Sequence, residues 1–188
     1  GANYPFGNAE TFPLFPGLRY VRVALARQAS FGLLSDGNVV SIGSLDQSGM
    51  PVPIPALPPG SRYVDIAAGS AHALLLRSDR SVVGIGDNSV GQLSMPQLPN
   101  GVHPTDIAAG AAHNLVLLSD GSVVAFGRNT FGQCNVPPLP PGQTYSSIDA
   151  FAENSAAIRS DGTLLVWGDN AYGQCNVPPG TYEIAAVG

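Results

Sequence analysis

The sequence predicts an all-β protein built of stacked repeats, and three observations carry that prediction. Its 188 residues include 23 Gly and 17 Pro, with 11% charged and 44% hydrophobic side chains, a balance that suits short strands and tight turns better than long helices. One string recurs, as VALARQASFGLLSDG from Val23, IAAGSAHALLLRSDR from Ile66, IAAGAAHNLVLLSDG from Ile107 and IDAFAENSAAIRSDG from Ile148, at offsets of 43, 41 and 41 residues. Apolar residues within each copy follow strand periods, not helical ones.

Each unit reads the same way from its start. In the second unit a small-residue strand covers 63–69, an apolar strand 72–77 and a third strand 81–86, with a tight hairpin between the last two. That hairpin carries Ser35-Asp36-Gly37, Ser119-Asp120-Gly121 or Ser160-Asp161-Gly162, and Asp-Gly supplies the positive φ that such a turn needs. Arg80 takes the glycine's place in the second unit, at a cost of about 1 kcal/mol where φ is positive. A weaker fourth strand is expected near 133–136, ended by Pro137 and Pro138 because proline cannot donate to a ladder.

The repeats divide the chain into units at 19–60, 61–101, 102–142 and 143–180, with partial units at 1–18 and 181–188. A fifth start, IAAVG at Ile184, follows after 36 residues because the proline loop PPLPPG shrinks to PPG. Gly1 stands where an initiator Met is expected, which points to a processed chain or an excerpt.

A sheet of about 40 residues cannot bury both its faces alone, so neighbouring units must stack, and radial stacking makes a β-propeller. The IAAG strands suit the crowded axis. Phe6, Ile42, Ile85, Phe126 and Trp167, each directly before a glycine, supply the bulk between blades. The expected fold is therefore all-β, with blades of three to four antiparallel strands, four complete repeats and partial repeats at both ends, forming an open arc or a fragment of a ring.

The strings DIAAGSAHALLLRSD, DIAAGAAHNLVLLSDGSVVAFGRNTFGQC and LLVWGDNAYGQCNVP resemble the repeats of the regulator of chromosome condensation family. The short spacing and the GQxxVP ending look most similar to the compact blades of its bacterial β-lactamase inhibitor members. The resemblance implies a seven-bladed ring, for which four units and two fragments are too few. It also implies a choice of roles: nucleotide exchange on a small GTPase, ubiquitin-ligase side domains, an ultraviolet photoreceptor, or an enzyme inhibitor. One tryptophan, Trp167, is too few for the photoreceptor's cluster, and the 41-residue spacing leaves no room for an exchange factor's protruding insertion.

Charge narrows the partners. The net charge is −5 and the eight basic residues, all Arg, are scattered, so the basic footprint of a nucleic-acid binder is missing and no nucleic acid is expected. No apolar run is long enough to span a bilayer, so direct membrane insertion is not expected either. Cys134 and Cys175 are repeat-equivalent and should lie a blade apart, beyond disulfide reach. Two free thiols point to a soluble chain in a reducing, intracellular compartment.

Catalytic readings fail one by one. His72 and His113 occupy equivalent positions in adjacent units, so they are displaced by a blade and cannot converge on a metal; a hydrogen bond to the next blade's backbone is expected. His103, with no repeat counterpart, reads as a loop residue. Asp36, Asp79, Asp120 and Asp161 sit at hairpins, where Asp bonds its own backbone. No Ser-His-Asp set, P-loop or nucleophile elbow is present, and no catalytic residue, cofactor, metal or small-molecule substrate is expected.

What remains is variation between units in the loop after the third strand: Asp87, Ser89 and Val90; Arg128, Thr130 and Phe131; Asp169, Ala171 and Tyr172. Val90, Arg128, Phe131, Asp169 and Tyr172 are the candidate protein-binding residues, with the two aromatics as anchors. The sequence reads as a non-catalytic interaction or scaffold module, part of a longer chain or a larger assembly that covers the arc's open faces. The alternative is an enzyme regulator, either an inhibitor or a guanine nucleotide exchange factor.

Overall fold

A computed structural model describes residues 12–46, 50–178 and 180. Among these residues there are no helices, and four antiparallel three-stranded sheets follow one another as propeller blades in an open arc. Blade 1 holds β1 (Tyr20–Leu25), β2 (Ala29–Leu34) and β3 (Val39–Gly43). Blade 2 holds β4 (Tyr63–Ala68), β5 (His72–Arg77) and β6 (Val82–Gly86). Blade 3 holds β7 (Pro104–Ala109), β8 (His113–Leu118) and β9 (Val123–Gly127), and blade 4 holds β10 (Tyr145–Phe151), β11 (Asn154–Arg159) and β12 (Leu164–Gly168). Phe6 and the start at Ile184 lie outside the described residues.

The expected fourth strand is not formed. Residues 133 and 134 belong to a turn and 135–140 are irregular. Asn135 N–H closes back on Gly132 O and Val136 N–H on Cys134 O, which bends the chain away from any neighbouring ladder before the prolines begin. The proline stretches instead lie against the next blade's first strand. Tyr20 Oη donates to Pro13 O and Tyr63 Oη to Pro55 O, each at 2.7 Å, and Tyr145 Oη donates to Pro137 O. Blade 3 has Pro104 in the tyrosine's place.

Among the described residues the core is divided between the blade junctions. Phe31, Leu33, Ile66, Leu75 and Ile85 fill the junction of blades 1 and 2. Leu74, Leu76, Ile107, Val116 and Phe126 fill the next junction, and Leu115, Leu117, Ile148, Ala157 and Trp167 the last. Alternation along each middle strand explains this: Leu74 and Leu75 point to opposite faces, and both are buried because each face meets another blade. The first strands β1, β4, β7 and β10 lie side by side, where Ala67, Ala68, Ala108 and Ala109 allow close approach. Backbone bonds tie the first hairpin turns together, from Arg27 N–H to Ser70 O, Ser70 N–H to Ala111 O and Ala111 N–H to Ala152 O.

At the other end of the blades the Asp-Gly hairpins are as expected. Asp36, Asp79, Asp120 and Asp161 accept the backbone N–H two residues on, at 2.9–3.0 Å. The Ser81 and Ser122 hydroxyls, followed by these N–H groups, hold Asp79 and Asp120 below the usual carboxyl pKa, and the N–H groups of Asn38 and Thr163 lead in lowering Asp36 and Asp161. Arg80 occupies the glycine position with φ +71°.

Candidate protein-binding face

Ala29 pairs with Gly43, His72 with Gly86, His113 with Gly127 and Asn154 with Gly168. The first hairpin turn of each blade and the loop leaving its third strand therefore emerge at the same end, here termed the loop face. The glycine that closes each third strand has a positive φ, +99° at Gly86, and a Cβ there would sit 2.4 Å from Ala71 O. That fold-back sets the start of the loop, with Asp87 N–H donating to Ala71 O and Arg128 N–H to Ala112 O.

The loops are built from their own side chains. Asn88, Asn129 and Asn170 each accept, through Oδ1, the backbone N–H five residues on, at 2.7–2.9 Å. Gln92, Gln133 and Gln174 use Oε1 to take the N–H of Val90, Phe131 and Tyr172, each at 2.9 Å. The amide nitrogens of Gln92 and Gln174 then reach Asp87 and Asp169. The third unit carries Arg128 at that position, and Glu153 from blade 4 supplies the missing carboxylate: it accepts from Gln133 Nε2 and pairs with Arg128 at 3.5 Å.

The five candidates thus separate. Asp169 is half-buried and its carboxylate is engaged by Ala171 N–H and Gln174, so it builds the turn. Arg128 is exposed and paired with Glu153. Val90, Phe131 and Tyr172 stand at equivalent positions of successive blades, 38%, 50% and 94% exposed, each on a turn pinned by a glutamine. Tyr172 packs against almost nothing. Gln92 and Gln133, which are fully buried, were given no role by sequence reading, although the recurring Gly-Gln pair marks them.

The histidines reach side chains of the next blade, and His113 also meets the backbone expected for it, at Asn154. His72 Nε2 lies 2.8 Å from Asn114 Oδ1, and Asn114 Nδ2 donates back to Gln92 O. His113 Nε2 lies 2.9 Å from Ser155 Oγ, which donates to Gln133 O. Since Asn114 Oδ1 and Ser155 Oγ must accept, both rings carry their proton on Nε2. Nδ1 of each is buried without a partner and lies over Gly69 or Gly110, where a Cβ would fall 2.6 or 2.5 Å from it. A second proton has nowhere to bond, and burial lowers the pKa of His72 and takes His113 down to about 4. The Ser155–His113 pair is sealed from solvent and is not a nucleophilic dyad.

Along the inner lining, Arg22 Nη1 pairs with Asp65 Oδ1 at 2.8 Å, beside Asp106 and Asp149. Burial raises Asp65 to about 6 against the pull of Arg22. Among the described residues no group of three His, Cys, Asp or Glu side chains is placed to hold a metal. Cys134 and Cys175 are free thiols, with burial raising Cys134 to about 11. No helix of the described residues is long and apolar enough to cross a membrane. His103 lies in the loop before β7.

Known proteins share this geometry. The family model of the Regulator of chromosome condensation (RCC1) repeat matches residues 63–92, 105–133 and 152–174. Among curated proteins no sequence matches this chain. Three solved structures share its fold. Prp20p of Saccharomyces cerevisiae, reported with its binding to Gsp1p and histones, is 24% identical with a TM-score of 0.73, over 86% of this chain and 46% of its own. Human WBSCR16 is 21% identical with a TM-score of 0.71, over 90% and 54%. The receptor kinase CR4 ectodomain of Physcomitrella patens is 22% identical with a TM-score of 0.64, over 88% and 45%. The chain spans about half the length of these structures. Repeat match and fold agree: residues 63–92, 105–133 and 152–174 are repeats of the RCC1 type, and the blades that carry them have the fold of RCC1-repeat β-propellers.

Proposed function

We propose that the chain is a non-catalytic protein-docking module, part of a larger assembly, and that it docks through the loop face. The observation that carries this reading is the row of Val90, Phe131 and Tyr172, three exposed apolar side chains held at repeat spacing on rigid turns. Rigid aromatic anchors lose little entropy on binding and dominate interface energies. Structural relatives support the class of function, because yeast Prp20p binds Gsp1p and histones and is also known in complex with Kap60. Exposure of Val23 and Leu25 on blade 1 and of Phe151 on blade 4 fits a larger assembly that covers them.

The test is quantitative affinity capture from the source organism, comparing the native chain with Phe131→Ala/Tyr172→Ala. Loss of one protein set with the double variant, and its retention with Asp79→Asn on the opposite end, is the expected result. Identical captured sets would overturn the assignment to this face.

A further inference from the structure

The junction of blades 1 and 2 is filled differently from the others. At the junction of blades 3 and 4 the indole of Trp167 is buried, and its Nε1 donates to Gln133 O at 2.9 Å. Phe126 occupies the corresponding place one junction earlier, below the loop that carries buried Gln92. In blade 2 that column holds Ile85, and the first unit's loop has Met50 after its glycine where the other units have glutamine. Met50 is 69% exposed, against 1% for Gln92. With the aromatic ring and the glutamine both gone, a cavity of roughly 650 Å³ opens there. Leu45, Val52, Pro53 and Ile85 line it, with the carboxylates of Asp46 and Asp87 alongside. Apolar-lined volumes of this size are those of ligand pockets.

We infer that this cavity seats an aromatic side chain standing next to a positive charge on the partner protein. The seat is one the chain itself fills with an indole two junctions away, and its apolar lining matches a ring. Asp87, held ionised by Ser89 and Gln92, and Asp46, bonded by Ser44 Oγ, favour an adjacent ammonium or guanidinium over an anion. Ala71, Gly86 and Asp87 place the cavity on the loop face, the end that also carries Val90, Phe131 and Tyr172. This inference rests on the docking reading above and names the partner's anchor.

L-Tryptophanamide, an indole bearing an ammonium, is the probe, and N-acetyl-L-tryptophan, the same ring bearing a carboxylate, is its control. With the full chain, saturable NMR shifts of Ile85 and Val52 are expected with tryptophanamide, and binding of the control about tenfold weaker. Ile85→Trp should abolish the titration, raise the thermal midpoint by a few degrees and weaken partner capture. Ile85→Phe serves if the larger ring does not fold, and Asp46→Asn should weaken the probe severalfold. Absence of saturable shifts, or equal shifts in Ile85→Trp, overturns the seat. Probe binding with partner capture unchanged in Ile85→Trp overturns the anchor. The docking face fails separately, through Phe131 and Tyr172.

Discussion

Two junctions of one molecule, built from the same repeat, end in opposite states. Between blades 3 and 4, Trp167 is packed with Leu115, Leu117 and Ile148 and tied to the loop above it by Gln133 O, which also accepts from Ser155. Between blades 1 and 2, Phe31 and Leu75 pack deeper in the junction, but beside Ile85 a cavity remains and no histidine relay crosses, because Ala29 stands where the next two blades have histidine. The difference shows that a junction has two separable layers. Aliphatic alternation closes its interior in every case, whereas the end at the loop face is closed only where the aromatic, the histidine and the glutamine are present together.

The largest effect should come from opening the closed junction. Trp167→Ala removes the indole and leaves Gln133 O with one donor fewer, at an expected cost of about 3–5 kcal/mol. Ile85→Ala, with less to lose beside an existing cavity, should cost about 2 kcal/mol. Thermal and urea unfolding of the two variants measures both. Equal losses would mean that the junctions are not differently closed.

Acid should act on the relay next. His113 is neutral in the fold, with its pKa taken from 6.5 to about 4, so between those values the unfolded chain binds a proton that the folded chain refuses. Stability from this group is complete above pH 6.5 and falls by up to about 3 kcal/mol as pH drops to 4; His72 adds in the same direction. Asp65 works the other way. Raised from 3.8 to about 6, it favours the fold below pH 3.8 and loses that contribution as pH rises to 6. His113→Asn, which copies the residue that blade 4 carries as Asn154, should flatten the dependence of the thermal midpoint on pH between 6.5 and 4, and Asp65→Asn should steepen it. Unchanged slopes in both variants would remove the relay from the account of acid stability.

Most of the fold was legible in the sequence because strand period and repeat spacing are local and redundant. The Asp-Gly hairpins and the order of strands needed no tertiary information. The fourth strand was misread because the residues at 133–136 have strand-like composition, and only the turn closed by Gly132 and Asn135 decides against it. Within the candidate site, exposed positions could be inferred from variation between units, but the roles inside them could not. Asp169 and Arg128 look alike as variable polar residues; which one builds the turn depends on Glu153, a residue of the adjoining blade in the case of Arg128. The histidine's side-chain partner was missed for the same reason: it comes from 42 residues away.

Gly110 offers a finer test of the relay. A Cβ there would fall 2.1 Å from His113 Cε1. Blades without the histidine place Ala26 and Phe151 at the equivalent position, so it is the ring that demands glycine. Gly110→Ala should cost about 1–3 kcal/mol by overpacking, and in a His113→Ala background that cost should shrink by about 1 kcal/mol or more, read as coupling in a double-mutant cycle. Additive losses would show that Ala152 O, 2.8 Å from the same point, is what excludes the side chain.

The smallest effect concerns the blade beside the open junction. Its hairpin places Arg80 at φ +71°, where Gly37, Gly121 and Gly162 serve the other blades. A left-handed conformation costs a side-chain-bearing residue about 1 kcal/mol, and among the described residues the guanidinium's contact to His103 Nδ1 offsets it weakly, being long at 3.5 Å and exposed. Arg80→Gly should therefore raise stability, by somewhat less than about 1 kcal/mol once the extra freedom of glycine in the unfolded chain is counted. Gly121→Arg should do the reverse in blade 3 and by more, because its Cβ would fall 2.4 Å from Thr144 Cβ. If Arg80→Gly instead destabilises, the arginine makes a contact in solution that outweighs its strain, and blade 2 is held at this hairpin as well as at its junctions.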